Sequence, residues 1–375
     1  EPISLFIDYI RIETHPMKQT PFDELSGRYD VVIVGAGPSG ASTAGYLSNA
    51  LSTLIIDRNS LPRDKPCGGI LKEDALDFLR GFDIPDEVFL EPKKIDLKYL
   101  DWDNGAELKQ NRYLLNVSRL KFDEWLISLI GDYVAYSART ELIDFVERGD
   151  HIDVTIEKNN IIKEIKCNYL VGATGASSFV RKRLIKKVPP NNYIAVQEWI
   201  KNVDGINEFL YILDREITDF YSWVIPKGNL LLIGSAFPTG DNAYKKRFEL
   251  LKKKMEEKLE ISGPVYKKEA ALLIKPRTVR DICLGNHNTL LVGEEAGLIS
   301  PTTAEGISFA LKSGYNCAKA INKMGTVLEA YKDSSNDLIE DIKNKLKKAD
   351  VLFNPEKRPD LLESEGNGLQ RTLQN

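Results

Sequence analysis

The run Gly35-Ala-Gly37-Pro38-Ser39-Gly40 spaces three glycines as a phosphate-binding turn needs them. Gly35 permits the tight turn, Gly37 lets backbone approach a pyrophosphate, and Gly40 lets a helix pack closely on a strand. Asp57 follows Gly35 by 22 residues, where a carboxylate can accept hydrogen bonds from ribose hydroxyls. A second glycine segment, Gly293-Glu294-Glu295-Ala296-Gly297, comes roughly 250 residues later and runs through Pro301 to Glu305-Gly306-Ile307. A single dinucleotide held between the two ends of the chain accounts for both. Cys67 follows Pro66 and precedes Gly68 and Gly69, a bend that brings backbone close to a ligand. Its thiol either works in a pocket or packs as a structural cysteine. Tyr221, Trp223 and Ile225 alternate within residues 220–228, so a strand there turns them to one side, as a ligand wall or as ordinary sheet core.

The elements that must position these residues follow from the apolar pattern. Residues 31–34 are a continuous β-branched run, the mark of a strand buried on both faces. A helical pattern follows at 41–51, with Ala44, Leu47 and Leu51 on one face, and a second strand at 53–56 ends at Asp57. The helix N-terminus offers free N–H groups and partial positive charge to phosphates. Residues 95–117 alternate as strands of a different sheet, and 141–169 read as a meander with turns at 148–150 and 159–160. Strands recur between 193 and 233, where an antiparallel sheet with one face toward a ligand is expected. Residues 241–260 form a charged amphipathic helix whose lysines read as a solvated face, with contact to an anionic membrane as the alternative. Helices are expected at 305–323 and 327–349, and the tail from Asn354 reads as loosely held.

With these motifs the chain resembles the flavoprotein superfamily of p-hydroxybenzoate hydroxylase, which includes the geranylgeranyl reductases. In that superfamily a late G-D-A-A-G segment, then P-x-x-G-E-G and a helix, wraps the ribityl chain and flavin ring of FAD. Glu294 stands here where Asp is usual, and Ala304 where Gly is usual. Residues 119–126 are similar to the R-x-x-F-D-x-W-L helix start, whose arginine, here Arg119, lies near the cofactor. Residues 169–181 resemble the second nucleotide-side motif, with Thr174 before Gly175 where Asp is usual. Residues 64–69 resemble the K-P-C-G-G stretch of the reductases, whose cysteine faces the active site, to donate a proton or to shape the pocket. Residues 220–228 resemble their Y-x-W-x-F-P-K-G stretch, which lines the prenyl pocket. The same residues partly match the W-x-W-x-I-P motif of flavin-dependent halogenases, with Tyr221 for the first Trp. Those enzymes need a well-placed lysine that the sequence does not identify.

The resemblance implies an α/β chain (α+β overall), with a Rossmann-like FAD-binding domain and a second, antiparallel-sheet substrate domain. The FAD domain is discontinuous (30–94, 118–186 and 269–325), the substrate domain takes 95–117 and 187–268, and a helix and tail fill 326–375. Residues 1–29 read as an extension that starts at Glu1, with Met17 as a natural start and an apolar run at 3–12. Gly35, Gly37, Pro38, Ser39, Gly40, Asp57, Arg58, Cys67, Gly68, Arg119, Thr174, Gly175, Gly293, Glu294, Gly297, Pro301, Glu305, Gly306 and Ile307 are the expected cofactor-binding residues. Cys67, Gly68, Tyr221 and Trp223 are the expected catalytic ones. The helix after Gly306 would stabilise negative charge on reduced flavin, so Glu305 must point away from the ring or cap the helix.

Composition narrows the partners. The 375 residues carry 51 basic and 55 acidic side chains, net −4, which gives no reason to expect a nucleic acid. No apolar run approaches the roughly 20 residues needed to span a bilayer. Cys67, Cys167, Cys283 and Cys317 lie far apart and lack metal-ligand spacing, as do His15, His151 and His287, so no metal site is expected. A reduced, cytoplasmic setting follows, at most peripheral to a membrane. The resemblance implies reduction of C=C bonds in a prenyl or other lipid-like substrate by hydride from flavin N5. The alternative is a monooxygenase or halogenase acting on an aromatic or polyketide. With no second G-x-G-x-x-G, electrons arrive from transient NAD(P)H or from a ferredoxin-type protein donor.

Overall fold

The computed structural model describes residues 18–185, 192–203 and 205–364, without the side chains of 111–113. Residues 1–17, with the apolar run 3–12, His15 and Met17, lie outside the described residues. β1 (Arg28–Val34) enters the glycine turn, α1 (Pro38–Tyr46) leaves it, and β2 (Thr53–Asp57) returns beside β1. The chain then lays down β3 (Ile70–Leu71), α2 (Glu73–Phe78), β4 (Phe89–Asp101) and β5 (Ala106–Val117). After α3 (Arg119–Ser128) come β6 (Val134–Ala138), β7 (Glu141–Glu147), β8 (Ile152–Lys158) and β9 (Ile161–Gly172). α4 (Phe179–Leu184) precedes β10 (Asn192–Lys201), β11 (Phe209–Leu213), β12 (Ser222–Lys227) and β13 (Leu230–Pro238). Then follow α5 (Tyr244–Leu259), β14 (Val265–Ile274), β15 (Gly285–Asn286) and β16 (Thr289–Leu291). Helices α6 (Ile307–Lys323), α7 (Val327–Ser334) and α8 (Asn336–Leu352) complete the described elements.

These strands form two sheets, and the chain passes repeatedly between them. The first has the order β15-β16-β9-β1-β2-β6, with β16, β9, β1, β2 and β6 parallel, and β8 and β7 attached to the outer part of β9. β1 lies mid-sheet with Val31, Val32 and Ile33 fully buried, which is why its sequence is a solid apolar run. The second sheet has the order β14-β10-β13-β12-β11-β4-β5-β3. It is antiparallel except where β11 lies parallel to β4, a departure from the purely antiparallel expectation. The chain leaves for the first sheet after β5 and re-enters afterwards, so β11 meets β4 through a crossover, not a hairpin. This sheet also begins earlier than the sequence alternation: β3 and the start of β4 precede residue 95.

Both faces of the second sheet are covered. Tyr99, Tyr211, Tyr221, Trp223 and Ile225 share one face, while Leu210, Val224 and Ile233 pack on the other against Phe248, Leu251 and Met255 of α5. The lysines of α5 meet carboxylates, with Lys254 2.7 Å from Asp214 and Lys252 3.2 Å from Glu198. No helix among the described residues is long and apolar enough to cross a membrane. Trp223 fits its face because Gly234 opposes it: a Cβ there would lie 2.4 Å from the indole ring. Gly234→Ala should therefore destabilise the protein by about 1–3 kcal/mol through overpacking, read as a lowered melting temperature.

The described part of the tail corrects the sequence expectation, and residues 365–375 lie outside the described residues. Residues 353–364 are not loosely held: Arg358 is 2% exposed and donates to Asp101 at 3.0 Å and Asp103 at 2.9 Å. Asn104 holds the Pro355 carbonyl at 2.9 Å, and Leu362 joins the aromatic face. One arginine answering two acids on the β4–β5 turn anchors a segment whose own apolar content is low.

Candidate functional site

Gly37 is the N-cap of α1, in extended backbone (φ −76°, ψ −175°), and no side chain caps the helix. A Cβ on Gly37 would come within 3.1 Å of Arg63 Nη2, so a guanidinium overlies the glycine turn. Arg63 Nε is buried with no hydrogen-bond partner in the protein. An uncapped helix start, a turn open to close approach and an orphaned guanidinium N–H fit a pyrophosphate. Asp57 is also at this turn, but in the protein its carboxylate tethers the loop: Oδ2 accepts the Ala36 N–H at 2.9 Å and Oδ1 the Asn59 N–H at 2.8 Å. Arg58 beside it is exposed.

The fold brings the second glycine segment onto the first. A Cβ on Gly293 would lie 2.9 Å from Ser39 Oγ in the first turn of α1. The two acids of this segment have different tasks. Glu294, the longer replacement for Asp, accepts the Ile274 N–H at 3.0 Å and approaches Lys65 Nζ at 3.9 Å, close to Gly175. Glu295 is fully buried and accepts the Thr174 N–H at 2.6 Å, the Thr174 hydroxyl at 2.8 Å and the Arg181 N–H at 3.1 Å. Burial pushes its carboxyl above the usual range against these bonds. Pro301 is buried, and Glu305 turns back on α6, accepting the Ser308 N–H and hydroxyl at 2.8 Å each. Glu305, one residue before the N-cap Gly306, thus reaches over to satisfy the first turn of the helix that starts at Ile307.

The Cys67 turn lies at the meeting of α3, β5 and β12. Its Sγ accepts the Gly69 N–H at 3.4 Å. Burial opposes ionisation of the thiol, but the Arg119 guanidinium, that N–H and Lys65 outweigh it, and Cys67 titrates below its ordinary value. Arg119 is itself held by Asp123 through two bonds of 3.0 and 3.1 Å. Cys167 and Cys317 behave oppositely: burial alone pushes both thiols up, Cys167 to about 12, as packing residues should. Gly68 touches the aromatic wall, since a Cβ there would be 3.0 Å from Ile225 Cδ1. Tyr211 and Tyr221 stack at 4.0 Å and donate to the Thr302 and Thr303 carbonyls, both at 2.6 Å, in the loop before α6. The Tyr221 hydroxyl therefore positions that loop. Trp223 Nε1 is buried without a partner. An open groove of about 640 Å³, lined by Lys94, Lys98, Lys109 and Leu210, belongs to the opposite face of the sheet.

Sequence reasoning missed several of these residues. Arg63 lies in the Cys67 loop without a motif of its own, and Glu295 was overshadowed by its neighbour. Tyr211, Asn116 and Lys227 reach the site only through sheet registry. Lys72, whose burial lowers its amine below the usual range, donates to Thr303 Oγ1 at 2.9 Å. Its only sequence signal was nearness to Cys67.

A parallel sheet with a glycine turn at β1–α1, joined by the late glycine segment and a second sheet, defines an FAD-binding flavoprotein of the p-hydroxybenzoate hydroxylase fold. The chain belongs to the FAD binding domain family, whose pattern matches residues 28–328. It is 31% identical over 343 residues to protein CbrA of Escherichia coli O6:H1 (strain CFT073), across 90% of this chain and 93% of that one. Its fold is similar to that of a geranylgeranyl bacteriochlorophyll reductase-like protein from Thermoplasma acidophilum, with TM-score 0.78, 20% identity and coverage of 90% and 91%. It is also similar to p-nitrophenol 4-monooxygenase PnpA from Pseudomonas putida DLL-E4, with TM-score 0.70, 15% identity and coverage of 92% and 96%. These two likenesses speak to the fold alone.

Proposed function

We propose that this protein is an FAD-dependent reductase of C=C bonds in a prenyl or other lipid-like substrate. The observation that carries the reading is the contact of the Cys67–Gly69 turn with the wall of Tyr221, Trp223 and Ile225, which sets an acidified thiol beside an apolar surface. FAD, once bound and reduced by NAD(P)H or a ferredoxin-type donor, would supply the hydride for one alkene carbon. The Cys67 thiol gives a proton to the other carbon, and the two additions balance as one saturated bond. An isolated alkene offers little for polar recognition, so the wall must hold the chain by apolar burial, about 0.8 kcal/mol per CH2. Arg63 and the start of α1 would hold the pyrophosphate, and the capped start of α6 would face the flavin ring. Tyr211 and Tyr221 fix the loop between them.

A second reading, an oxygen-using monooxygenase or halogenase, draws support from Lys72, a half-buried lysine bonded to the same loop through Thr303. The test is anaerobic. Dithionite-reduced holoprotein should be reoxidised by a geranylgeranyl lipid with a saturated product in the mass spectrum. No reoxidation by lipid, with a hydroxylated or halogenated aromatic product in air, would replace the reductase by the second reading. Within the reductase reading, Cys67→Ser should keep its flavin and lose about 100-fold in turnover, the scale of a positioned proton donor.

A further inference from the structure

Lys227 ends β12 and is 5% exposed, yet its ammonium meets three acceptors: Asn116 Oδ1 at 2.6 Å, the Gly69 carbonyl at 3.1 Å and the Val117 carbonyl at 3.3 Å. Three acceptors match three N–H groups. A neutral amine has two, and would leave one buried acceptor unpaired. Asn116 is fully buried and fixed from its other side, its amide donating to the Pro226 carbonyl at 2.8 Å and the Pro92 carbonyl at 3.2 Å. Its oxygen is thereby turned to Lys227. The ammonium also seals the turn: a Cβ on Gly69 would lie 2.8 Å from Nζ.

No carboxylate among the described residues lies within salt-bridge distance of Lys227. Of the other cations on these elements, Arg119 on α3 is matched by Asp123 and Lys65 on the Cys67 loop by Glu294 at 3.9 Å, while Arg63 of that loop leaves its Nε unpaired and turns its guanidinium over Gly37. Tyr221, just before β12, is a further titratable neighbour of Cys67, and burial first, then the Cys67 charge, holds it neutral. Burial brings Lys227 down to about 7; a Cys67 thiolate raises it and Arg119 lowers it. By reciprocity, a charged Lys227 favours the Cys67 thiolate to the same degree.

We propose that Lys227 is a positioning residue: anchored by Asn116, it fixes the Cys67–Gly69 turn through the Gly69 carbonyl and supplies a positive charge near the Cys67 sulfur that no carboxylate among the described residues offsets. The role rests on the reading of Cys67 as the working thiol, but its test needs no substrate.

The experiment is alkylation of the full-length holoprotein by iodoacetamide across about pH 5.5 to 10, with the Cys67 peptide followed by mass spectrometry. Lys227→Met should raise the pH midpoint of the Cys67 rate by about one unit or more, while Lys227→Arg keeps it near wild type. Loss of packing alone would change the plateau rate and leave the midpoint in place. If Lys227→Met does not fold, Lys227→Gln, which still donates to the Gly69 carbonyl, carries the same expectation. An unchanged midpoint in the folded neutral variant overturns the proposal. A raised midpoint in a protein whose wild type reduces no alkene keeps the Lys227 role and rejects the reductase. An unchanged midpoint in a protein that does reduce alkenes rejects the Lys227 role alone.

Discussion

Gly37→Val is expected to give a folded protein without flavin. The backbone at Gly37 is extended, a region valine accepts without strain, and its N-cap role uses no side chain, so α1 and the first sheet should persist. What changes is the space. The new Cβ would stand 3.1 Å from the Arg63 guanidinium, and two further methyls would occupy the turn where backbone must approach the pyrophosphate. FAD affinity should fall at least about 100-fold, roughly 2.7 kcal/mol. The check is flavin absorbance per chain after reconstitution with FAD, beside the far-ultraviolet circular dichroism of the apoprotein. Wild-type occupancy in a folded Gly37→Val protein would reject the assignment of this turn to the nucleotide. The neighbouring glycine is a poorer probe: Gly35 has φ +110° and a Cβ there would meet the Ala173 carbonyl oxygen at 2.3 Å. Its substitution threatens the fold itself, and lost flavin would say little.

The first sheet was readable because both-face burial leaves a local signature. The run at 31–34 and the glycine spacing after it require each other within a dozen residues, and no distant partner is needed to see them. Glu305 was left between pointing away from the ring and capping the helix; its carboxylate takes the Ser308 N–H, a contact decided within one turn. The second sheet was half readable. Alternation gave its strands and the shared side of Tyr221, Trp223 and Ile225, but not that β11 would lie parallel to β4. That pairing depends on where the chain re-enters after building the first sheet. Lys227 was visible only as a member of the stretch 220–228, beyond the strand expected there. Its burial was not, because the acceptors that tolerate an ammonium there come from residues 69, 116 and 117. The tail misled for a related reason: Arg358 reads as a solvent residue until Asp101 and Asp103 are placed against it.

Thr174 and Glu295 give the second large effect. The resemblance places an acid at position 174, where this chain has threonine. In the folded chain a carboxylate is present at that loop after all, reaching in from Glu295 to the N–H and hydroxyl of Thr174 and to the N–H of Arg181. Glu295→Ala would take the acceptor from the buried Arg181 N–H and from the half-buried Thr174 N–H and hydroxyl, at about 3–5 kcal/mol in urea unfolding of the apoprotein. Thr174→Asp alone should also destabilise, because it sets a second carboxylate against the first in a site where burial already resists one charge. Combined, the two changes return the acid to position 174 and remove the repulsion. The double variant should then be more stable than the sum of the single losses by about 1–3 kcal/mol, the coupling expected of residues in direct contact. Strict additivity would mean that Glu295 merely fills space and that the carboxylate has not moved from one loop to the other. The sign of the coupling matters more than its size: only a carboxylate that organises this loop from either position makes the second substitution repair the first.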